Sequence, residues 1–496
     1  MPLPIPNRLT DVVCAVVLLA TGFACQLNDG HLTLLSLLVM TTVEGACLLA
    51  FFPRIPPPAG SPAVFRRLLF AMLLFQMGLC VACYPGARWG KGKEALEPLA
   101  LAWNAVGWTF TPADWLRTIA NLVHMEWLSA QPTMIAGFAG LSLLGLLTIR
   151  YPNSRLVFLG LLSGYLAAGA FWLHKTHPPG IDTFLVQQVA ARSLLDGQNP
   201  YSATFPDIYE GGKGTFPPEF VKDGMVTSGV PYPPLSLFCA VPGYIALGDH
   251  RYSQLGALLL AAWLIGTCRP GPVPKLAALL LLFWPRTMMV LEFAFTEPFV
   301  VLALAATVSA SIHAPRWTPI AFGLLLFSKP STVFMLPLGL LLIPRWTFRA
   351  ILEFGAIALV TGVIVTAPLV LVNPADAFRA TIQMHLRSLF RDDSLSYLAL
   401  MSLSGLSTAL ALRIAAIAFP LALASVGASL ARFERNASAF ALGIVVTYIP
   451  FLLFNKQAFL NYYFLVIAAA ACSIAARVRL PDDVEPAGAD RPIATT

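Results

Sequence analysis

Residues 155–182 read RLVFLGLLSGYLAAGAFWLHKTHPPGID. After Arg155, the run 156–173 contains no charged side chain, and its length is close to the about 20 apolar residues with which a helix crosses a lipid bilayer. The chain then changes at once to a polar segment with histidines, a lysine, prolines and the carboxylate of Asp182. This change predicts a transmembrane helix that ends at a membrane surface, followed by a polar loop.

The rest of the chain has the same apolar character. Of its 496 residues, 57% are hydrophobic and only 11% are charged, whereas soluble domains carry about 25% charged residues. This composition excludes a water-soluble enzyme, a fibrous protein and a disordered chain. It predicts an all-α fold, a polytopic transmembrane helical bundle of about 13–14 helices. The candidate spans are 9–27, 31–52, 65–84, 133–149, 155–173, 232–248, 254–268, 274–290, 296–313, 319–343, 350–371, 408–430, 437–454 and 459–476.

Basic residues set the predicted orientation. Lys and Arg outnumber Asp and Glu by 32 to 25, but they are scattered singly along short loops, which is unlike a nucleic-acid-binding surface. Because they occur in alternate gaps between the spans, we predict a multi-pass protein of the bacterial inner membrane with both termini in the cytoplasm. The residues that assign these gaps to the cytoplasm are Arg8, Arg54, Arg66, Arg67, Arg150, Arg155, Arg251, Arg345, Arg349, Arg432, Arg435, Arg477 and Arg479.

The chain divides into three regions. Residues 1–150 contain N-terminal transmembrane helices and an amphipathic segment, 85–132, which we predict to lie in the outer membrane interface. Residues 151–480 form the main module, whose outer loop, 174–231, is its longest polar stretch. Residues 481–496 are polar and rich in Pro and Ala, which predicts a disordered cytoplasmic tail.

No metal ion or other cofactor is predicted. Cys80 and Cys83 form a CxxC pair, but it lies near the end of an apolar segment and has no second pair or histidine ligands beside it. The acidic residues of the outer loop show neither a DxD motif nor the spacing of a calcium-binding loop.

Asp182 is the outer-loop residue best suited to chemistry. It stands at the start of a helix-like run, 183–195, so its carboxylate is expected to cap the orphan N–H groups of that helix. A carboxylate held at a membrane surface is equally suited to removing a proton from a hydroxyl group. Both interpretations stay open on the residues alone.

Several short motifs follow in a fixed order along residues 155–476: Asp182, Ala190-Ala191, Leu195, Gly197, Asn199-Pro200-Tyr201, Tyr232-Pro233-Pro234-Leu235, Thr296-Glu297-Pro298, Ser328-Lys329-Pro330, Asn373-Pro374, Asp393-Ser394-Leu395, Asn455-Lys456-Gln457 and Asn461-Tyr462-Tyr463. In this order they resemble the GT-C glycosyltransferases, and most closely the polyprenyl-phosphate-dependent enzymes of glycosyltransferase family 87, the bacterial α-mannosyltransferase type. Each motif is short, so the resemblance rests on the series.

The resemblance implies a GT-C glycosyltransferase module over residues 151–480. Such an enzyme transfers a hexose such as mannose, with inversion, from a polyprenyl-phosphate sugar to an extracytoplasmic glycolipid or cell-envelope glycan, and Asp182 is the general base. A leaving lipid phosphate needs fixed cations, and the candidate donor-phosphate ligands are Lys329, Lys456 and Arg391. The candidate sugar or acceptor ligands are His174, His177, Tyr201, Tyr232, Glu297 and Tyr462.

Most of these residues also have an ordinary structural interpretation. A lysine within an apolar segment costs about 2.5–3.5 kcal/mol on insertion scales, so Lys329 needs either a cavity or a partner such as Glu297 or Glu292. Lys456 and Arg391 also fit solvated loop charges, and tyrosines are enriched at every membrane interface.

The sequence departs from the resembled family at two places. About four helices and the segment 85–132 precede the module, and the later outer loop reads Asp392-Asp393-Ser394 where many relatives have Asn-Gln-Ser. Three other functions stay open. They are a transporter or flippase of lipid-linked sugars, a polymerase or ligase that uses an undecaprenyl-diphosphate substrate, and a scaffold for envelope assembly.

Overall fold

The computed structural model describes residues 7–26, 30–51, 65–73, 76, 151, 154–176, 178–209, 216–284 and 286–477. The structure is 75% helical and 2% strand, so the predicted all-α class is confirmed. The segment 85–132, the span 133–149, His177 and the tail 481–496 lie outside the described residues.

The labelled helices follow one another along the described parts of the chain. They are α1 (Asn7–Gln26), α2 (Leu34–Leu49), α3 (Arg155–Lys175), α4 (Asp182–Leu195), α5 (Pro234–Leu247), α6 (Arg251–Thr267), α7 (Pro272–Leu282), α8 (Thr287–Glu292), α9 (Glu297–His313), α10 (Thr318–Leu326), α11 (Met335–Leu338), α12 (Phe348–Val370), α13 (Pro374–Phe378), α14 (Met384–Arg387), α15 (Tyr397–Leu403), α16 (Thr408–Ala415), α17 (Ala418–Arg432), α18 (Ala437–Leu453) and α19 (Leu460–Ala476). Short 3₁₀ turns occur at Pro200–Ser202, Pro218–Phe220, Pro315–Trp317, Pro330–Phe334 and Gly339–Leu342.

A small antiparallel sheet lies between α4 and α5. Its strands β1 (Phe205–Pro206), β2 (Val221–Lys222) and β3 (Met225–Val226) are arranged in the order β1-β3-β2. Asp223 and Gly224 form the turn between β2 and β3, and both have positive φ.

Among the described residues, three helical segments are long and apolar enough to cross a membrane: α3, α12, and the run Thr408–Arg432 that comprises α16 and α17. Only 11% of the most apolar window of α12 is buried inside the protein, so this helix presents a nearly continuous apolar surface. Soluble monomers rarely expose an apolar patch of that extent. The other apolar helices are 10–17 residues long.

Helices α3 and α6 lie antiparallel. The Arg251 guanidinium, at the start of α6, donates to the Leu173 carbonyl and the Thr176 hydroxyl at the end of α3. At the other end of the pair, Gly266 packs directly on the Phe158 ring. We call the end of the bundle that contains Thr176 and Arg251 the loop end, and the other the opposite end.

Helix α5 does not cross the bundle. It begins beside the outer loop, where the Tyr201 hydroxyl donates to the Tyr232 carbonyl, and it ends at Gly248, whose carbonyl accepts from the Gln188 side chain of α4. The predicted span 232–248 is therefore wrong, because Arg251 lies beside Thr176, at the same end of the bundle as the outer loop 174–231 instead of across from it. Hydropathy identified an apolar helix correctly, but the apolar surface of α5 packs beside α4 instead of crossing the bundle.

Residues 318–343 form a re-entrant hairpin instead of the predicted span 319–343. Helix α10 lies parallel to α12, with Gly323 against Ala358 and Phe327 against Gly362. The chain turns at Lys329 and returns, so that Gly339 packs on the ring of Phe322, in the middle of α10.

Neither α5 nor the hairpin crosses the bundle, so the predicted sidedness is reversed between them and is the same as predicted again after the hairpin. From Arg251, the chain descends through α6, rises through the broken pair α7 and α8, and descends through α9 to the hairpin. The Phe293 carbonyl after α8 accepts from Thr183 at the start of α4, which places residue 293 at the loop end. Helices α1 and α19 meet at the opposite end, where Asp11 and Arg477 form an ion pair. Both described ends of the chain therefore lie at that end.

Candidate functional site

Asp182 lies at the first position of α4, one residue earlier than the predicted helical run. Its Oδ1 accepts the Thr183 N–H at 2.9 Å and the Tyr209 hydroxyl at 3.1 Å, while its own N–H donates to the Tyr209 oxygen at 3.3 Å. Burial raises the pKa of the Asp182 carboxyl, and the Tyr209 hydroxyl, the Thr183 N–H and the nearby Arg391 partly oppose that rise. Such a carboxylate is a stronger proton acceptor than an exposed one.

The small sheet holds Tyr209 in this place. The Asp207 N–H donates to the Gly224 carbonyl of the β2–β3 turn at 2.8 Å, and the Asp207 carboxylate accepts the Tyr209 N–H at 3.1 Å. The Phe216 ring packs against Tyr209 with 5.9 Å between centroids. Burial raises the pKa of the Tyr209 hydroxyl, so it stays a hydrogen-bond donor at neutral pH.

Helix α4 is fixed from its buried side. The Thr183 hydroxyl donates to the Phe293 carbonyl at 2.6 Å, and the Gln187 amide donates to the Ala294 carbonyl. Ala294 has φ of +55°, a left-handed conformation that a non-glycine residue seldom adopts. Gln254 of α6 donates to the Gln187 Oε1 at 3.1 Å. These bonds fix the helix that begins with Asp182.

Lys329, at the turn of the re-entrant hairpin, forms an ion pair with Glu297 at the start of α9. The carboxylate is 1% exposed, and its Oε1 also accepts from the Asn461 amide at 2.9 Å. Its Oε2 is buried and has no hydrogen-bond partner within the described part of the chain. The Lys329 ammonium also lies 4.6 Å from the centroid of the Tyr462 ring. Glu297 is therefore the partner that a lysine within an apolar segment requires.

Arg391 forms a two-point ion pair with Asp393, with both N–O distances 2.8 Å. Its guanidinium lies 4.9 Å from the centroid of the Phe459 ring. Asp393 is also 3.3 Å from the His31 Nδ1, which belongs to the turn between α1 and α2. Arg391 favours the charged form of Asp182 as well, so the two residues share one electrostatic environment.

The structure brings together most of the residues that the sequence singled out. Tyr232 lies within electrostatic reach of both Asp182 and Glu297, and burial with these two charges raises its pKa well above the usual value. The Tyr462 hydroxyl interacts with the charges of Lys329, Asp182 and Arg391. The resulting cluster, which we call the loop-end site, consists of Asp182, Tyr209, Tyr232, Glu297, Lys329, Arg391 and Tyr462.

Three of the predicted ligands occupy other surroundings. Lys456 directs its ammonium to the carbonyls of residues 385, 386 and 388, at 3.2, 3.0 and 2.7 Å. Tyr201 is 1% exposed and donates to the Tyr232 carbonyl at 3.0 Å. His174 is exposed on the last turn of α3. Roles for these three and for His177 stay predictions.

Sequence reasoning missed Tyr209, Asn461 and His31 as contributors. Tyr209 reaches Asp182 through a sheet of two-residue strands, too short to give an alternating pattern. His31 reaches Asp393 across more than 300 residues of chain, and no local pattern reports such a contact. Among the described residues, no group of three His, Cys, Asp or Glu side chains is arranged to hold a metal ion.

Comparison with known proteins gives no match. No model of a protein family matches the chain, and neither a curated protein nor a solved structure matches it.

Proposed function

We propose that the protein is a membrane glycosyltransferase of GT-C type. It transfers a hexose such as mannose from a polyprenyl-phosphate sugar to an extracytoplasmic glycolipid or cell-envelope glycan. The observation that carries this proposal is the loop-end site at one end of an apolar bundle. Its part-buried Asp182 carboxylate accepts from Tyr209 and lies within electrostatic reach of Arg391, and Tyr462 interacts electrostatically with both this carboxylate and Lys329.

Asp182 has the role of general base. It accepts the proton of the acceptor hydroxyl as that oxygen bonds to the anomeric carbon of the donor sugar. The bond between the anomeric carbon and the phosphate oxygen breaks in the same displacement, and the electron pair leaves with the polyprenyl phosphate. Asp182 then releases the proton to water. One positioned carboxylate is sufficient for such an inverting displacement.

Arg391 and Lys329 have the role of stabilising the leaving phosphate. Each already has a carboxylate partner, so both are held in fixed positions before the substrate arrives. Preorganised cations in a poorly solvated site stabilise developing negative charge far better than mobile cations in water do.

The charge distribution supports an extracytoplasmic location for the loop-end site. Among the described residues, the opposite end has three acidic side chains, Asp11, Glu353 and Glu434, against a larger set of basic ones. Cytoplasmic ends of membrane proteins carry such an excess. The basic residues at that end are Arg155, Arg269, Lys275, Arg316, Arg345, Arg349, Arg432, Arg435 and Arg477.

The test is transfer of radiolabelled sugar from polyprenyl-phosphate mannose or polyprenyl-phosphate glucose in membranes carrying the protein. We expect the wild type to transfer label and Asp182→Asn to be about 100- to 10,000-fold slower, the usual contribution of a general base. Asp196→Asn is the matched control, since Asp196 is exposed at the far end of the same helix. Equal rates for wild type and Asp182→Asn at equal expression would remove Asp182 from the mechanism.

A lipid-linked sugar transporter is the second candidate. The re-entrant hairpin and the buried pair of Lys329 and Glu297 favour it, because transporters place ionisable groups and interrupted helices inside the bundle. Detergent-solubilised protein separates the two candidates. An enzyme consumes the lipid-phosphate sugar without a second compartment, whereas a transporter leaves it chemically unchanged.

A further inference from the structure

The turn between α1 and α2 is attached to the loop that carries Arg391. The Leu32 N–H donates to the Asp393 carbonyl at 3.0 Å, and His31 pairs with Ser394 in an antiparallel bridge. On the other side of this loop, the Arg391 N–H donates to the Lys456 carbonyl at 3.1 Å, and the Leu395 N–H donates to the Ala458 carbonyl at 2.8 Å. The loop is therefore held between the N-terminal hairpin and the segment that leads into α19.

The backbone of the turn is shaped for this contact. Gly30 has φ of +77°, which a glycine adopts without cost. A side chain at this position would also approach the Cβ of Leu460 to 2.8 Å, closer than packed carbon atoms come. Only a glycine therefore lets the turn lie against the start of α19, which brings the next residue, His31, to Asp393.

The side chains continue the contact into the loop-end site. The His31 Nδ1 lies 3.3 Å from Asp393 Oδ2, and the same carboxylate holds the Arg391 guanidinium at two points. The Phe459 ring contacts both side chains, with its centroid 5.5 Å from that of the His31 ring and 4.9 Å from the Arg391 guanidinium. Burial alone would raise the pKa of Asp393, but the hydrogen bonds from His31 and Arg391 outweigh it and hold the pKa below its usual range.

We propose that His31 is a positioning residue, through which the N-terminal helical hairpin holds Asp393 and thereby aims the Arg391 guanidinium at the loop-end site. This inference rests on the proposed function in one respect only, which is that the ligand of Arg391 is a lipid phosphate. The placement of Arg391 itself is testable without any transfer assay.

The experiment measures the rate at which phenylglyoxal modifies Arg391 in the purified full-length protein, read by mass spectrometry of the peptide. Loss of one ordinary hydrogen bond changes the population of the held state by about fivefold. We therefore expect His31→Ala to raise the modification rate of Arg391 by about that factor and His31→Asn, which retains a donor, to restore much of the protection. Arg387, paired with Glu219 and away from His31, is the internal reference and should not change.

A second variant guards against a general loss of structure. Asp393→Asn should raise the modification of Arg391 as well, and the double variant with His31→Ala should add little, because both changes act through one contact. Unchanged modification of Arg391 in His31→Ala, with a rise in Asp393→Asn, would overturn the role of His31. A rise that includes Arg387 would also overturn it, since that pattern means unfolding of the loop.

Transfer kinetics then connect the contact to substrate. If Arg391 binds the donor phosphate, His31→Ala raises KM for the lipid donor more than it lowers kcat. A wild type that transfers no sugar would contradict the proposed function but would leave the modification result, and with it the role of His31, intact.

Discussion

The hydroxyl of Tyr209 and the Asp182 residue are joined by a pair of hydrogen bonds. The phenol donates to the carboxylate at 3.1 Å, and its oxygen accepts the Asp182 N–H at 3.3 Å. This arrangement fixes the orientation of the carboxylate and stabilises its charged form against the burial that raises its pKa. Tyr209 thus determines the pH at which Asp182 is able to accept a proton.

Replacing Tyr209 by Phe should move the acid limb of the pH–rate profile to higher pH. The hydroxyl lowers the pKa of Asp182, so its removal raises that pKa further, and the base is ionised only at higher pH. A hydrogen bond to a charged group contributes about 1.5 kcal/mol, which corresponds to about one pKa unit. The measurement is kcat/KM for sugar transfer between pH 4 and 9, a range that begins near the usual carboxyl pKa and extends about five units above it.

Tyr201→Phe is the control for this shift. It also removes a buried hydroxyl, but one that donates to the Tyr232 carbonyl, so it should lower stability by about 1 kcal/mol without moving the acid limb. An unshifted limb in Tyr209→Phe would show that another group sets the profile.

Much of the loop-end site could be named from the sequence because its members lie in short motifs at the ends of apolar runs. Asp182 and Glu297 stand at such boundaries, and Lys329 lies within an apolar segment, where a charged side chain requires a partner or a cavity. The path of the chain between them could not be read in the same way. Hydropathy detects an apolar helix but not whether it crosses, and both α5 and the hairpin at Lys329 are apolar helices that do not.

The two departures from the resembled family illustrate the same limit. The added N-terminal helices and the Asp-Asp-Ser loop were each visible in the sequence, but as unrelated features. In the structure, His31 from the first contacts Asp393 from the second. A contact across that separation depends on packing of the whole bundle, which no window of sequence contains.

The pair of Glu297 and Lys329 should behave as a buried ion pair. Glu297→Gln leaves the Lys329 charge without its partner in a site that is almost fully buried, at a cost of about 3–5 kcal/mol. The double variant Glu297→Gln/Lys329→Met should recover most of that stability, because no charge is then left unpaired. Thermal unfolding in detergent measures both, and we expect the double variant to be stable yet inactive in sugar transfer.

The exposed pair of Asp376 and Arg379 provides the comparison. Arg379 is 41% exposed at its side chain, so Arg379→Met should cost about 0–1 kcal/mol. A similar small loss in Glu297→Gln would mean that water or another group reaches Lys329. Full transfer by the double variant would exclude Lys329 from phosphate binding.

Lys456 should act on the stability of the outer loop between α14 and α15. Its ammonium donates to three backbone carbonyls, so Lys456→Met removes a donor from each of them, although the residue 385 carbonyl also accepts from Ser388. We expect faster amide hydrogen exchange across residues 385–390 and little change in KM for the lipid donor. Lys222→Met, at an exposed position of the small sheet, should change neither. A large rise in KM with unchanged exchange would instead assign Lys456 to the donor phosphate.

Residue 316 decides between the two accounts of the topology. Counting hydrophobic spans places 314–318 outside the cell, whereas the re-entrant hairpin at Lys329 places Arg316 at the opposite end, with Arg345 and Arg435. We expect a membrane-impermeant maleimide to label Asp196→Cys in intact cells and to label Arg316→Cys only after the membrane is opened. The wild type, whose described cysteines are mostly buried, is the blank. Labelling of Arg316→Cys in intact cells would mean that the segment 318–343 crosses the membrane, and Lys329 would then lie within a transmembrane helix instead of at the turn beside Glu297.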